Sequence, residues 1–239
     1  MNLQVNDMEN KTVLIVDDEK SIFEILDFNL KKEGYNTLRA YDGEEGLHMA
    51  REHSPDLILL DVMLPYMDGF EVCKTLRSEG DNVPIIMITA REEETDMVFG
   101  LENGADDYVT KPFSMRALMA RVKTNMRRSA AAPAAESADS NCIRIRKLVI
   151  DLDRHSVSNG ARVLELTQRE YEIIKFMAQC PGKVVSRQDL MSQVWQYDYY
   201  GDLRTVDVAM RRLREKLEDN PAEPEYIITK RGAGYYIAE

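Results

Sequence analysis

The stretch Leu57-Ile58-Leu59-Leu60-Asp61-Val62-Met63-Leu64-Pro65 decides the fold. Its apolar run is too short for an ordinary helix and reads as a strand buried on both faces of a parallel sheet. The run ends on one aspartate, and Pro65 and Gly69 then turn the chain. An ionised carboxylate at the end of a buried strand is costly unless something neutralises it. The carboxyl ends of strands are also where open α/β sheets bind ligands. Taken alone, Asp61 reads either as a residue placed for chemistry or as a cap for the following turn.

Upstream, Thr12-Val13-Leu14-Ile15-Val16 is a second short run that ends in acid, at Asp17-Asp18-Glu19. A helical pattern at Ile22, Ile25, Leu26 and Leu30 closes at Gly34, followed by a strand over 35–40 and a helix over 43–51. Downstream come a helix over 69–77, a buried strand at 84–88 ending on Thr89, and a helix near 93–102. A strand at 106–109 and a helix over 114–127 complete the half. Five β-α units in alternation predict a doubly wound parallel sheet with helices on both faces, a flavodoxin-like (βα)5 fold.

In that order the strand ends gather Asp17, Asp18, Asp61, Thr89 and Lys111, the last just before Pro112. Three carboxylates so close cannot all stay ionised without a cation. Oxygen donors without sulfur or imidazole point to Mg²⁺, which keeps waters and leaves room for a phosphoryl oxygen. One lysine and one hydroxyl complete what phosphoryl transfer to a carboxylate needs: a nucleophile, a metal and a clamp on the equatorial oxygens.

The whole chain sets the frame. Its 239 residues suit one or two domains. No apolar run is long enough for a membrane span, and the first residues do not read as a signal peptide. Cys73, Cys142 and Cys180 are odd in number and far apart, which fits a reducing cytoplasm and argues against disulfides and zinc. The net charge of −11 is uneven: residues 1–141 hold 15 Lys+Arg against 27 Asp+Glu, residues 142–239 hold 16 against 15. That asymmetry suggests two modules with different partners. Residues 129–141 lack any large apolar side chain and read as a flexible tether.

Residues 143–163 alternate short apolar and polar runs around turn signals such as Asn159-Gly160, predicting a small antiparallel sheet. Thr167 with Glu170 three residues on is a capping-box pattern opening a helix with apolar Tyr171, Ile173, Ile174 and Met177. Ser186 and Asp189 repeat it before Leu190, Val194 and Trp195. From Arg204 to Leu217, Val206, Met210, Leu213 and Leu217 share one helical face and should be core. The opposing surface offers Arg204, Thr205, Val208, Ala209, Arg211, Arg212 and Arg214. Residues 226–229 and 234–237, joined through Lys230-Arg231-Gly232, read as a hairpin. Three helices with the basic one last and a basic hairpin behind it make a winged helix-turn-helix, whose last helix enters the major groove.

The set Asp17-Asp18, Asp61, Thr89 and Lys111-Pro112 resembles the receiver domain of two-component response regulators. That resemblance implies that Asp61 accepts a phosphoryl group from a histidine kinase. It implies that Asp18, Asp61 and the Met63 backbone carbonyl hold Mg²⁺, with Asp17 acting through a water. Lys111 would pair with the phosphate, Pro112 would follow a cis peptide, and Thr89 and Tyr108 would form the switch pair. The second half resembles the effector domain of OmpR/PhoB-type regulators, most specifically at Arg204-Thr205-Val206-Asp207-Val208 and Arg231-Gly232-Ala233-Gly234-Tyr235. By carry-over Arg212 and Val208 approach bases. Arg204, Thr205, Arg211, Arg214, Trp195 and Thr229 would line the DNA interface, most of them on phosphates, and Arg231 would enter the minor groove.

The resemblance implies a cytoplasmic transcription regulator, not an enzyme on other molecules, with a receiver at 10–128, a linker at 129–141 and a winged-helix domain at 142–239. Its partners would be a histidine kinase, promoter DNA, RNA polymerase and, once phosphorylated, a second copy. Stretches at 33–35, 195–199 and 218–221 look most like the branch that controls cell-wall homeostasis in Gram-positive bacteria. Receivers of the family pair through the helix near 93–102, the strand at 106–109 and the helix over 114–127. Asp106, Asp107, Arg121 and Arg128 retain charges of that face, but a basic–glutamate pair found in relatives is here Met97 and Ala117. Loss of both together leaves no charge unpaired and should affect partner choice more than pairing itself. Two other readings compete. An aspartyl-phosphate phosphohydrolase would carry a second acid two residues after the nucleophile, where this chain has Met63. A vestigial, phosphate-independent receiver would not need the intact acidic set.

Overall fold

Every residue of the strand that anchors the sequence reading is buried, as expected of the centre of a parallel sheet. The structure, a computed structural model, describes residues 11–90, 100–126, 141–195 and 203–239. The chain divides into two compact units, residues 1–126 and 127–239.

In the first unit the strands are β1 (Thr12–Val16), β2 (Asn36–Ala40), β3 (Leu57–Asp61), β4 (Ile85–Thr89) and β5 (Asp107–Thr110). They form one parallel sheet in the order β2-β1-β3-β4-β5, the expected flavodoxin-like arrangement. Helices α1 (Lys20–Lys32) and α4 (Met115–Asn125) cover one face. There Leu26, Leu30, Leu118 and Val122 pack on Val13, Ile15, Leu57, Leu59, Ile86 and Ile88. Because strand side chains alternate, Leu14, Val16, Ile58 and Leu60 fall to the other face, under α2 (Gly43–His53) and α3 (Gly69–Ser78). The loop after β3 is pinned at Gly69: its N–H donates to the Val62 carbonyl at 3.0 Å, and a Cβ there would sit 2.2 Å from the Asp61 carbonyl oxygen. Only glycine tolerates that approach. Asp68 then caps α3 by accepting from the Glu71 N–H.

The second unit opens with the antiparallel sheet β6 (Cys142–Ile145), β7 (Leu148–Asp151), β8 (Ser156–Asn159) and β9 (Arg162–Leu164). Helix α5 (Gln168–Ala178) begins with the expected capping box of Thr167 and Glu170. The next helix departs from expectation. Only α6 (Arg187–Leu190) is α-helical, and Met191–Trp195 is a π-turn. There the Val194 carbonyl accepts from Arg169 at 2.6 Å, an outside partner for its backbone oxygen. Helix α7 (Arg204–Leu217) buries Val206, Met210, Leu213 and Leu217 as the spacing requires. The hairpin β10 (Ile227–Lys230) and β11 (Gly234–Ile237) follows, joined by an antiparallel bridge from Tyr235 to Val185. Among the described residues no helix is long and apolar enough to cross a membrane.

Candidate functional site

Parallel registry places the acidic strand ends side by side. Val16 pairs with Leu60 and Asp61 with Ile88, so Asp17, Asp61 and Thr89 emerge on neighbouring strands. Asp17 is 2 % exposed and Asp61 4 %, yet both carboxylates are partnered. Met63 N–H donates to Asp61 Oδ1 at 3.0 Å, and Glu19 N–H donates to Asp17 Oδ1 at 2.9 Å. From the end of β5, the Lys111 ammonium donates to Asp61 Oδ2 at 2.6 Å, Asp17 Oδ2 at 3.1 Å and Glu19 Oε1 at 3.2 Å. The Lys111-Pro112 peptide is cis.

Burial pushes the Asp17 carboxyl above the ordinary aspartate range, against the pull of the Glu19 N–H and Lys111, and Asp61 adds to the rise. For Lys111, burial works against the charge, but the hydrogen bond and attraction of Asp61, followed by Asp17, win and raise its pKa. Lysine thus stays protonated among the acids. Carboxylate oxygens of Asp17, Glu19 and Asp61 all lie within 4.8 Å of one another. An all-oxygen set with surplus negative charge fits Mg²⁺. Asp18, expected as a direct ligand, is exposed on the same turn as Glu19, which joins the group as its N–H meets Asp17.

Thr89 is fully buried and lies one residue beyond the partner of Asp61. Tyr108 pairs with Met87 in the sheet and is buried, and a side chain at Gly100 would meet its ring edge and the Met87 sulfur. The tyrosine therefore already occupies an inward position. Of the residues expected at a pairing face, Met97 and Arg128 lie outside the described residues, and Ala117 is exposed on α4. Asp106 and Asp107 are not open charges. Asp106 accepts from Arg77 and from the Ile85 N–H, each at 3.0 Å, and Asp107 accepts from Arg121 at 2.6 Å. Both acids are engaged within the chain, and Arg121 would have to exchange partners to bridge two copies.

The effector surface is more structured than its spacing suggested. Thr205, Val208 and Ala209 are buried, although a solvent-facing surface was expected there. Arg212, expected to approach bases, lies 3.3 Å from Glu170, beside Lys216 at 2.7 Å from the same carboxylate. Arg214 donates to the Ile227 carbonyl at 2.7 Å and to Thr229 Oγ1 at 2.7 Å, joining α7 to the hairpin. Trp195, expected at the DNA interface, is 1 % exposed. Arg204, Arg211, Lys230 and Arg231 are exposed, with Arg211 in a surface pair with Glu215. Sequence reasoning missed Arg187, Asp207 and Tyr235, which form a bonded group near the turn of the hairpin.

Two family models match the chain. Residues 13–123 match the response regulator receiver domain, and residues 161–237 match the C-terminal domain of transcriptional regulatory proteins. Among solved structures, a mutant of RitR is 29% identical, over 96% of this chain and 99% of that one, with a TM-score of 0.72. DrrB of Thermotoga maritima, described as an OmpR/PhoB homolog, is 31% identical over 96% and 99%, with a TM-score of 0.49. The receiver domain of the Francisella response regulator 1452 is 37% identical over 49% of this chain and 97% of that one, with a TM-score of 0.48.

Proposed function

The chain belongs to the OmpR/PhoB-type response regulators of two-component transcription control, and from that premise we propose that Asp61 is its phosphoryl acceptor and that phosphorylation drives paired binding to promoter DNA. The observation that carries this reading is the Lys111 ammonium held on Asp61 Oδ2 at the mouth of the parallel sheet. A carboxylate oxygen of Asp61 attacks the phosphorus of a kinase phosphohistidine: the N–P bond breaks, an O–P bond forms, and the leaving imidazole nitrogen takes a proton. Lys111 then moves from Asp61 Oδ2 to a phosphoryl oxygen, and the Thr89 hydroxyl closes on another, with Tyr108 packed behind it. Asp18, Asp61 and the Met63 carbonyl would hold Mg²⁺, with Asp17 acting through a water and Glu19 close by, and the ion would supply charge neutralisation for the transferring group. Loss of acetyl-phosphate labelling in Asp61→Asn tests the assignment.

A second consequence follows from Asp17. Since burial raises its pKa, its carboxyl takes up a proton at higher pH than an ordinary aspartate does. Metal binding needs the ionised form. Mg²⁺ affinity is therefore expected to weaken as pH falls while still above the ordinary aspartate range, and Asp17→Asn should flatten the dependence. Calorimetric titration from about pH 8 to about pH 4 reads it. Affinity constant down to the bottom of that window would contradict it.

The second unit binds DNA through α7 and the hairpin, with exposed Arg204, Arg211, Lys230 and Arg231 supplying charge. Its overall charge is nearly neutral, so a homodimer on tandem half-sites gains affinity through effective concentration. A histidine kinase and RNA polymerase complete the cytoplasmic circuit. Arg231→Ala should weaken binding evenly across sequences of similar minor-groove shape, because a minor-groove arginine reads width and potential. A loss that depends on the base at one position, in a gel-shift series, would overturn that role. Arg212→Ala is expected to act on stability, because its guanidinium is engaged by Glu170.

A further inference from the structure

Tyr235 ties together three pieces of the effector unit that are distant in sequence. Its backbone exchanges two hydrogen bonds with Val185, at 2.7 and 2.9 Å, just before α6. A Cβ on the preceding Gly234 would lie 2.0 Å from the Val185 carbonyl oxygen, so the turn end of β11 is pressed directly on that backbone. The side chain reaches the other way. Its hydroxyl donates to Asp207 Oδ1 on α7 at 2.6 Å, and the same oxygen accepts from Arg187 Nε on α6 at 2.6 Å. Arg187 also donates to the hydroxyl at 3.3 Å.

Two guanidiniums lie over the Tyr235 ring, Arg187 at 5.0 Å and Arg214 at 5.6 Å. Arg214 is bonded in turn to Thr229, the residue paired with Tyr235 across the hairpin. A charge-assisted hydrogen bond to a carboxylate is stronger than a neutral one, and cation–π contacts add to it. Tyr235 as a whole is 5 % exposed, and its hydroxyl is engaged by Asp207 and Arg187. It touches the first turn of α7, at the helix expected to lie in the major groove.

We propose that the Tyr235 hydroxyl, held by Asp207 and Arg187, is a positioning group that sets the angle of the hairpin, and with it Arg231, relative to α7. This rests on the reading of the second unit as a DNA-binding winged helix. Hairpin and helix must engage two adjacent grooves at once, and Tyr235 lies one cross-strand pair from the turn that carries Arg231, so a shift at this anchor carries Arg231 with it. Loss of the lock would spare the α7 contacts and remove the benefit of the arginine.

The test is a double-mutant cycle on the full chain, phosphorylated with acetyl phosphate and Mg²⁺. The probe is a duplex that the wild-type protein has selected from a randomised double-stranded pool. Tyr235→Phe removes only the hydroxyl, and its affinity should fall roughly fivefold or more. In an Arg231→Ala background the same change should cost less than about twofold, because the hydroxyl acts through that arginine. Equal losses in both backgrounds, or no loss in either, overturn the proposal. Asp207→Asn, which keeps an acceptor for the hydroxyl but loosens Arg187, should give a smaller loss with the same dependence on Arg231. It decides the matter if Tyr235→Phe proves unstable by thermal melting. If the wild-type chain selects no duplex, the DNA-binding reading itself fails, an outcome distinct from additive losses in a chain that does bind.

Discussion

Asp61→Asn is expected to lower incorporation of phosphoryl groups from acetyl phosphate and Mg²⁺ by at least about 100-fold. An amide nitrogen is not a nucleophile toward phosphorus, while its oxygen can still accept the Met63 N–H that now donates to Asp61 Oδ1. The loop after β3 therefore keeps its anchor. Lys111 keeps Asp17 and Glu19 as partners, so no buried cation is stranded. One source of the upward push on Asp17, the charge of Asp61, disappears. The variant should be folded and at least as stable as the parent. That separates loss of chemistry from loss of structure. Labelling at the parent level would mean that a neighbouring carboxylate, Asp17 or Glu19, is the acceptor.

The second large effect concerns stability. Glu170 is 1 % exposed, and its carboxylate accepts from the Thr167 N–H at 2.9 Å, from Lys216 at 2.7 Å and lies 3.3 Å from Arg212. Removing one member of a buried charge group costs about 3–5 kcal/mol, because the partners are left uncompensated. Glu170→Ala should therefore take a large part of the stability of a domain that has about 5–15 kcal/mol in all. The single tryptophan of the chain, Trp195, is buried in this unit. Its fluorescence during urea unfolding reports on the effector unit without interference from the receiver. A change below about 0.5 kcal/mol, the size expected at an ordinary surface site, would show that the charges are solvated and the group is not a buried one.

Glu170 also shows where sequence patterns stop being informative. Short apolar, β-branched runs marked the receiver strands, because a strand buried on both faces has little other way to be written. Their ends located Asp17, Asp61, Thr89 and Lys111, since strand order in such a sheet leaves little freedom there. The presence of Glu19 in the acidic group was not legible, because it depends on a backbone turn in which the Glu19 N–H meets Asp17. Periodicity likewise found the buried seam of α7 but not its flanks. Arg212 and Lys216 are four residues apart, beside that seam, and both turn to the carboxylate of a capping box on another helix. A buried capping glutamate signals that a cation must be near, yet nothing in spacing says which one. Tyr235 was read as a hairpin residue alone, because its partners Arg187 and Asp207 lie 48 and 28 residues away.

Coupling between Asp61 and DNA is the central claim, and one binding experiment reaches it. Parent and Asp61→Asn chains are titrated into a fluorescent duplex selected by the parent, each with and without acetyl phosphate and Mg²⁺. Pairing of two linked modules predicts that phosphorylation tightens binding by about tenfold or more in the parent and leaves Asp61→Asn unchanged. A parent that ignores acetyl phosphate, or an Asp61→Asn chain that responds as the parent does, would contradict it.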